Sequence, residues 1–219
     1  MTFTGFPEEA LGFYDGLLAD NSKSYWEDHR ATYERCVRAP MEALLAALEP
    51  EFGTGKIFRP YRDVRFSRDK TPYKNNTGAI LHPPGDHGGS GFYVQIDAEG
   101  LRVAAGYYAT GSDQVERYRR AVADDIPGAA LERIVADLRG QGHEVAGHQL
   151  KTTPRGYPKD HPRSDLLRHR SLYAARSWEP AEWLHTDKCL DVVRDAWRDF
   201  MPLSDWLDTN VGASAQEWR

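Results

Sequence analysis

Phe92-Tyr-Val-Gln-Ile-Asp-Ala-Glu-Gly-Leu-Arg-Val-Ala-Ala-Gly-Tyr-Tyr108 is the stretch that decides the fold class. Two short runs rich in β-formers, 92–97 and 101–108, flank Asp97-Ala-Glu-Gly100, a turn that closes them as a hairpin and so requires antiparallel pairing. Upstream, Gly78-Ala-Ile-Leu-His82 has the same character, and a loop with glycines at 85, 88, 89 and 91 joins it to the hairpin. Downstream, strand patterns return at 143–152 and 171–178.

Helical periodicity occupies the flanks. Residues 7–49 read as two helices: Pro7-Glu8-Glu9 starts the first, with Leu11, Tyr14, Leu17 and Leu18 on one apolar face. Asn21 or Ser22 caps the second, whose apolar face runs from Trp26 through Tyr33, Val37 and Met41 to Leu48, with an interruption at Pro40. Further helices follow at 112–122 and 128–139, and an amphipathic helix carrying Trp183, Leu190, Val193, Trp197 and Phe200 closes the chain. Helices, then strands, then a mixture of both indicate an α+β fold and not alternating βαβ units. The expectation is one domain over residues 1–219, with an antiparallel sheet on which two N-terminal helices and the C-terminal amphipathic helix pack.

The composition is that of a globular protein: 40% hydrophobic, 28% charged, net charge −5. No apolar run approaches the roughly 18 residues that a membrane span needs. The first residues also lack the pattern of a secretion signal, so a cytoplasmic location without membrane association is expected. Cys36 and Cys189 stand far apart in helical contexts and read as buried thiols.

Against this acidic background, residues 59–74 read Arg-Pro-Tyr-Arg-Asp-Val-Arg-Phe-Ser-Arg-Asp-Lys-Thr-Pro-Tyr-Lys. Six cations (Arg59, Arg62, Arg65, Arg68, Lys70, Lys74) face two carboxylates (Asp63, Asp69), a local charge of +4. Guanidinium groups bind carboxylate and phosphate in planar, bidentate fashion and remain charged at any working pH. Read as a strand, the segment turns Val64 and Phe66 inward and presents Arg59, Asp63 and Arg65 on the opposite face. Two anions cannot neutralise six cations, so unless carboxylates from elsewhere in the chain fold onto the segment the surplus is available to an anionic ligand.

The pattern Arg59-x-x-Arg62-Asp63-x-Arg65-Phe66-x-x-Asp69-Lys70-x-x-Tyr73 resembles the signature of a family of bacterial and fungal proteins, domain of unknown function 2461. The resemblance extends to the opening Phe3-x-Gly5-Phe6, to the helix from Asn21 to Trp26, and to Lys151-x-x-Pro154-Arg155-Gly156-Tyr157. It implies a single domain whose hallmark is this charged segment, and it implies no particular activity, cofactor or substrate.

A second loop, 151–163, carries Lys151, Arg155, Tyr157, Lys159, Asp160 and His161 and is a candidate second wall for the same site. His29 and Arg30, on the helix after Asn21, are weaker candidates. No metal-ligand spacing, phosphate-binding glycine motif or nucleophile motif is present, so no metal and no cofactor are expected. The leading expectation is a small phosphate- or carboxylate-bearing ligand held by Arg59, Arg62, Arg65 and Lys70, with Lys74 and Arg155 peripheral. If the protein also acts on that ligand, Asp63, Tyr73 and His161 are the candidates for proton chemistry. Nucleic-acid binding through cations interleaved with Tyr61, Phe66 and Tyr73 is the alternative, disfavoured by the acidic total. An internal salt-bridge brace is the third reading.

Overall fold

The computed structural model describes residues 2–65, 68–83, 89–108 and 110–215. Most of the glycine loop before the hairpin, and the inward position assigned to Phe66, lie outside the described residues. The fold is α+β: helices together with, among the described residues, a six-stranded antiparallel sheet. Its strands are β1 (Thr54–Ile57), β2 (Asn76–His82), β3 (Gly91–Asp97), β4 (Gly100–Tyr107), β5 (Glu144–Ala146) and β6 (Leu172–Trp178), in the order β1-β2-β3-β4-β6-β5. The expected β3–β4 hairpin is present. Along it, Phe92, Val94 and Ile96 alternate inward, as do Leu101, Val103, Ala105 and Tyr107. The strand expected at 143–152 is shorter: only Glu144–Ala146 pairs with β6, Val145 opposite Ala174, and Gln149 adds one isolated bridge to His169.

The chain divides into two compact units. The first comprises residues 1–81, 93–103 and 177–195. It holds α1 (Glu8–Ala19), α2 (Lys23–Thr32), a π-helical turn (Tyr33–Arg38) and α3 (Ala39–Phe52). The π turn answers the proline: Pro40 has no N–H to donate, and the Ala39 N–H reaches back five residues to the Glu34 carbonyl. Inside this unit Tyr14 donates to the Thr77 hydroxyl (2.6 Å), which donates to the Tyr33 hydroxyl (3.3 Å), tying α1 and the π turn to β2. Burial of Tyr14 pushes its phenol well above the ordinary range, so it stays a donor.

The opening Phe3-x-Gly5-Phe6 docks on the 3₁₀ turn Glu182–His185. Phe6 donates its N–H to the Leu184 carbonyl (2.9 Å), and His185 Nδ1 donates to the Phe6 carbonyl (2.8 Å). Gly5 has φ of +104°, and a Cβ there would strike the His185 backbone, which is why this position takes glycine.

The second unit comprises residues 82–92, 104–176 and 196–219. It holds α4 (Ser112–Ala123), α5 (Asp125–Gly140), the short α6 (Ser164–Leu167) and the latter part of α7 (Lys188–Asn210). Trp183 and Leu184, expected in the C-terminal helix, belong instead to the 3₁₀ turn before it. Asp208 accepts from the Ser90 N–H (2.9 Å), the Ser90 hydroxyl (2.6 Å) and the Tyr107 hydroxyl (3.0 Å), and Phe92 packs on Trp197. Both cysteines are buried free thiols. Among the described residues no helix is long and apolar enough to cross a membrane.

Candidate functional site

The described residues of the basic segment, 59–65 and 68–74, form no strand. The two arms of the segment meet at a narrow neck, where the Arg62 N–H donates to the Pro72 carbonyl (2.9 Å) and the Lys74 N–H to the Pro60 carbonyl (2.8 Å), with Tyr61 opposite Tyr73. Both prolines lack an N–H and serve the neck only as acceptors, so the ladder cannot extend. The strand alternation read from the sequence therefore does not apply, and Val64 is half-buried and not a core anchor.

Two contacts pin the neck to α2. Tyr73 lies flat on Trp26, ring centroids 4.4 Å apart and planes 8° from parallel, while Tyr61 leans on Tyr73 from the solvent side. Asn21 accepts from the Tyr73 N–H (3.1 Å) and donates to the Tyr73 carbonyl (3.1 Å). Asn21 is thus not the helix cap. Ser22 takes that role, accepting from the Tyr25 N–H at 3.1 Å. His29 stacks on Tyr25 and its Nδ1 bonds the Tyr25 carbonyl, so it faces its own helix.

Five of the six cations sort into two groups, and the sixth, Arg68, is exposed. Arg62 bonds Asp69 (2.5 Å) and the Thr71 hydroxyl (2.7 Å), and Arg65 grips both oxygens of Asp63 (3.0 and 2.7 Å). Lys70 donates to the Val64 carbonyl across the loop (2.8 Å). Hydrogen bonds from the Arg65 side chain and N–H hold the Asp63 carboxyl below its ordinary range, and bonds from Thr71 do the same for Asp69. A carboxylate so stabilised is a weak base, and its geometry is that of a clamp on Arg65.

Arg59 and Lys74 form the second group. Among the described residues neither has a carboxylate within ion-pair distance. The Lys74 ammonium sits 5.4 Å from the centre of the Phe58 ring, and burial together with the neighbouring Arg59 charge lowers its pKa. Phe58 in turn donates its N–H to the Gly78 carbonyl (2.9 Å) and meets the Tyr93 ring, which lies across Gly78 where a Cβ would collide with it. Lys74 thus stands on an aromatic floor fixed to β2 and β3, with the Arg59 charge beside it. Burial first, with Tyr61 and Glu27 adding, raises the Tyr73 phenol above its ordinary pKa.

Arg155 and His161 belong to the second unit. Arg155 is exposed, and the His161 Nδ1 accepts from the Arg163 N–H (3.0 Å) within the turn that enters α6. The residue that the sequence reading passed over in this loop is Arg163, whose buried guanidinium donates to the carbonyls that end α4; no local pattern marks it. Among the described residues no group of three or more His, Cys, Asp and Glu side chains is placed to hold a metal ion. The chain matches the family described as conserved hypothetical protein, domain of unknown function 2461, over residues 9–206. No curated protein and no solved structure matches it.

Proposed function

The chain belongs to the family of conserved hypothetical proteins designated domain of unknown function 2461, and for this member we propose that residues 59–74 receive a small ligand bearing a phosphate or carboxylate group. The observation that carries the reading is the pair Arg59 and Lys74: neighbours, neither within ion-pair distance of a carboxylate among the described residues, and close enough for the Arg59 charge to add to burial in depressing the Lys74 pKa. Like charges held together in a partly desolvated place repel, and an anion between them reverses that cost. Arg62, Arg65 and Lys70 frame the loop, each already engaged within it: Arg62 with Asp69, Arg65 with Asp63 and Lys70 with the Val64 carbonyl. Asp63 also lies near enough to Arg59 to be stabilised by it, so Arg65→Ala would release a carboxylate toward Arg59 and weaken anion binding indirectly.

The pairs Arg62–Asp69 and Arg65–Asp63 support a bracing role for those two arginines alone. Their side chains are 31%/50% and 77%/45% exposed, so water screens both pairs and they contribute little to holding the fold. A brace does not account for Arg59 and Lys74. Two buried free thiols support a reducing compartment, and we place the protein in the cytoplasm on that ground.

The experiment is a titration with sodium phosphate and, separately, sodium acetate at constant ionic strength, following the backbone amide resonances of Arg59 and Lys74. Saturable shifts in wild type, with affinity at least tenfold weaker in the Arg59→Gln/Lys74→Gln double variant, are expected. Equal affinity in the double variant, or shifts that track ionic strength alone, would reject the site. Retardation of a short single-stranded oligonucleotide with steep salt dependence, absent with both small anions, would favour nucleic acid instead.

A further inference from the structure

A second cationic site lies in the other unit and does not depend on the reading of residues 59–74. Between α5 and residues 162–169 the surface opens into a cleft of about 410 Å³, lined by Glu132, Arg139, Gln149, Arg163, Asp165, Arg168 and His169 among others. Its charges can be assigned one by one. Arg163 is committed to the carbonyls of Val122, Ala123 and Asp124 and to Asp125, and it pairs with Glu132 at 3.4 Å. Arg168 pairs with Asp165 through Nη2 (3.3 Å), but its Nε is buried from water with no hydrogen-bond acceptor among the described residues. Arg139, exposed at the end of α5, has no carboxylate within ion-pair distance among the described residues.

The floor is a buried imidazole whose neutral tautomer the geometry assigns. His169 Nδ1 donates to the Ser171 carbonyl (3.0 Å), so in the neutral ring Nε2 is the acceptor and takes an amide hydrogen from Gln149 (2.5 Å). Burial first, with the charges of Arg139 and Arg168 adding, lowers the His169 pKa, against the opposing hydrogen bond to Ser171 and the charge of Asp165.

We propose that this cleft binds one phosphate or carboxylate group, held by the Arg139 guanidinium and by Arg168 turned so that its Nε–H reaches a ligand oxygen. An Arg168 Nε–H with neither water nor protein acceptor is costly to leave unmade, and a ligand oxygen relieves that cost. His169 beneath it reports the event. An anion cancels the field of Arg139 and Arg168 and raises the His169 pKa.

Sodium phosphate and sodium acetate are titrated separately at constant ionic strength while the His169 ring carbon and proton resonances are followed. A saturable shift, a rise in the His169 pKa at saturation and at least tenfold weakening in Arg139→Gln are expected, with Arg59→Gln/Lys74→Gln behaving as wild type. Response to phosphate alone makes the natural ligand a phosphoester, and response to acetate alone makes it a carboxylate; either upholds the site. No saturable shift with either anion, or an unchanged affinity in Arg139→Gln, overturns it. Loss of response in the Arg59/Lys74 double variant would also overturn it, by assigning the effect to the first unit.

Discussion

One amide side chain places the basic loop. Asn21 presents its oxygen to the Tyr73 N–H and its nitrogen to the Tyr73 carbonyl, as a neighbouring strand would, and also donates to Asn75 Oδ1 at 2.9 Å. Tyr73 is only 4% exposed, so water is poorly placed to replace these bonds. Asn21→Ala removes an acceptor and a donor at once, and the expected loss of stability is about 1–3 kcal/mol, read from the urea midpoint. Asn21→Asp keeps the acceptor but sets a carboxylate oxygen against the Tyr73 carbonyl, and should be at least as damaging. Either variant melting with wild type would mean that the Trp26–Tyr73 stack alone holds the loop.

At the scale of elements, α4 ends on a device that draws on distant sequence. The Arg163 Nε donates to the Val122 carbonyl (2.7 Å), and Nη2 donates to Ala123 (3.3 Å) and Asp124 (3.2 Å), so one guanidinium satisfies the carbonyls at the helix terminus and meets its negative end. Gly128 leaves room for it: a Cβ there would meet the Val122 carbonyl and the guanidinium. Arg163→Ala is expected to cost about 3 kcal/mol, because buried carbonyls lose charge-assisted partners. Arg163→Lys should recover little of that, since an ammonium cannot reproduce the fork. Near-native calorimetric melting of Arg163→Ala would show that water serves those carbonyls as well. The same corner shows why sequence reading stops where it does. The β3–β4 hairpin and the face of α3 are written in local periodicity, because each buries one side against the core; on α1 the periodicity finds Tyr14 and Leu17 but misplaces Leu18, which is 54% exposed, while Ala10 and Phe13 are buried instead. β1 is not, since Thr54, Gly55 and Lys56 are exposed and carry no apolar alternation. The loop at 59–74 reads as a strand from its residue types, yet Pro60 and Pro72 limit its pairing to a neck, and which arginines remain unopposed depends on how the loop folds on itself. Arg163 and Val122 stand 41 residues apart, and only the tertiary structure joins them.

For the whole molecule, the question is whether two compact units are two domains. β2, β3, β4, β6 and α7 each contribute residues to both units, so the boundary between them cuts through continuous strands and a continuous helix, not through linkers. Domain boundaries fall where few backbone hydrogen bonds cross, in exposed and flexible connections. We therefore propose that residues 1–219 behave as one cooperative domain. Trp26 lies in the first unit and Trp206 in the second, both nearly buried, and they serve as separate reporters once the remaining tryptophans are replaced by phenylalanine. Their fluorescence transitions in urea should coincide with each other and with far-ultraviolet circular dichroism, and the calorimetric and van't Hoff enthalpies of the wild-type chain should agree. Two midpoints, with Trp26 and Trp206 melting apart, would divide the chain into two domains that share a sheet in sequence but not in stability.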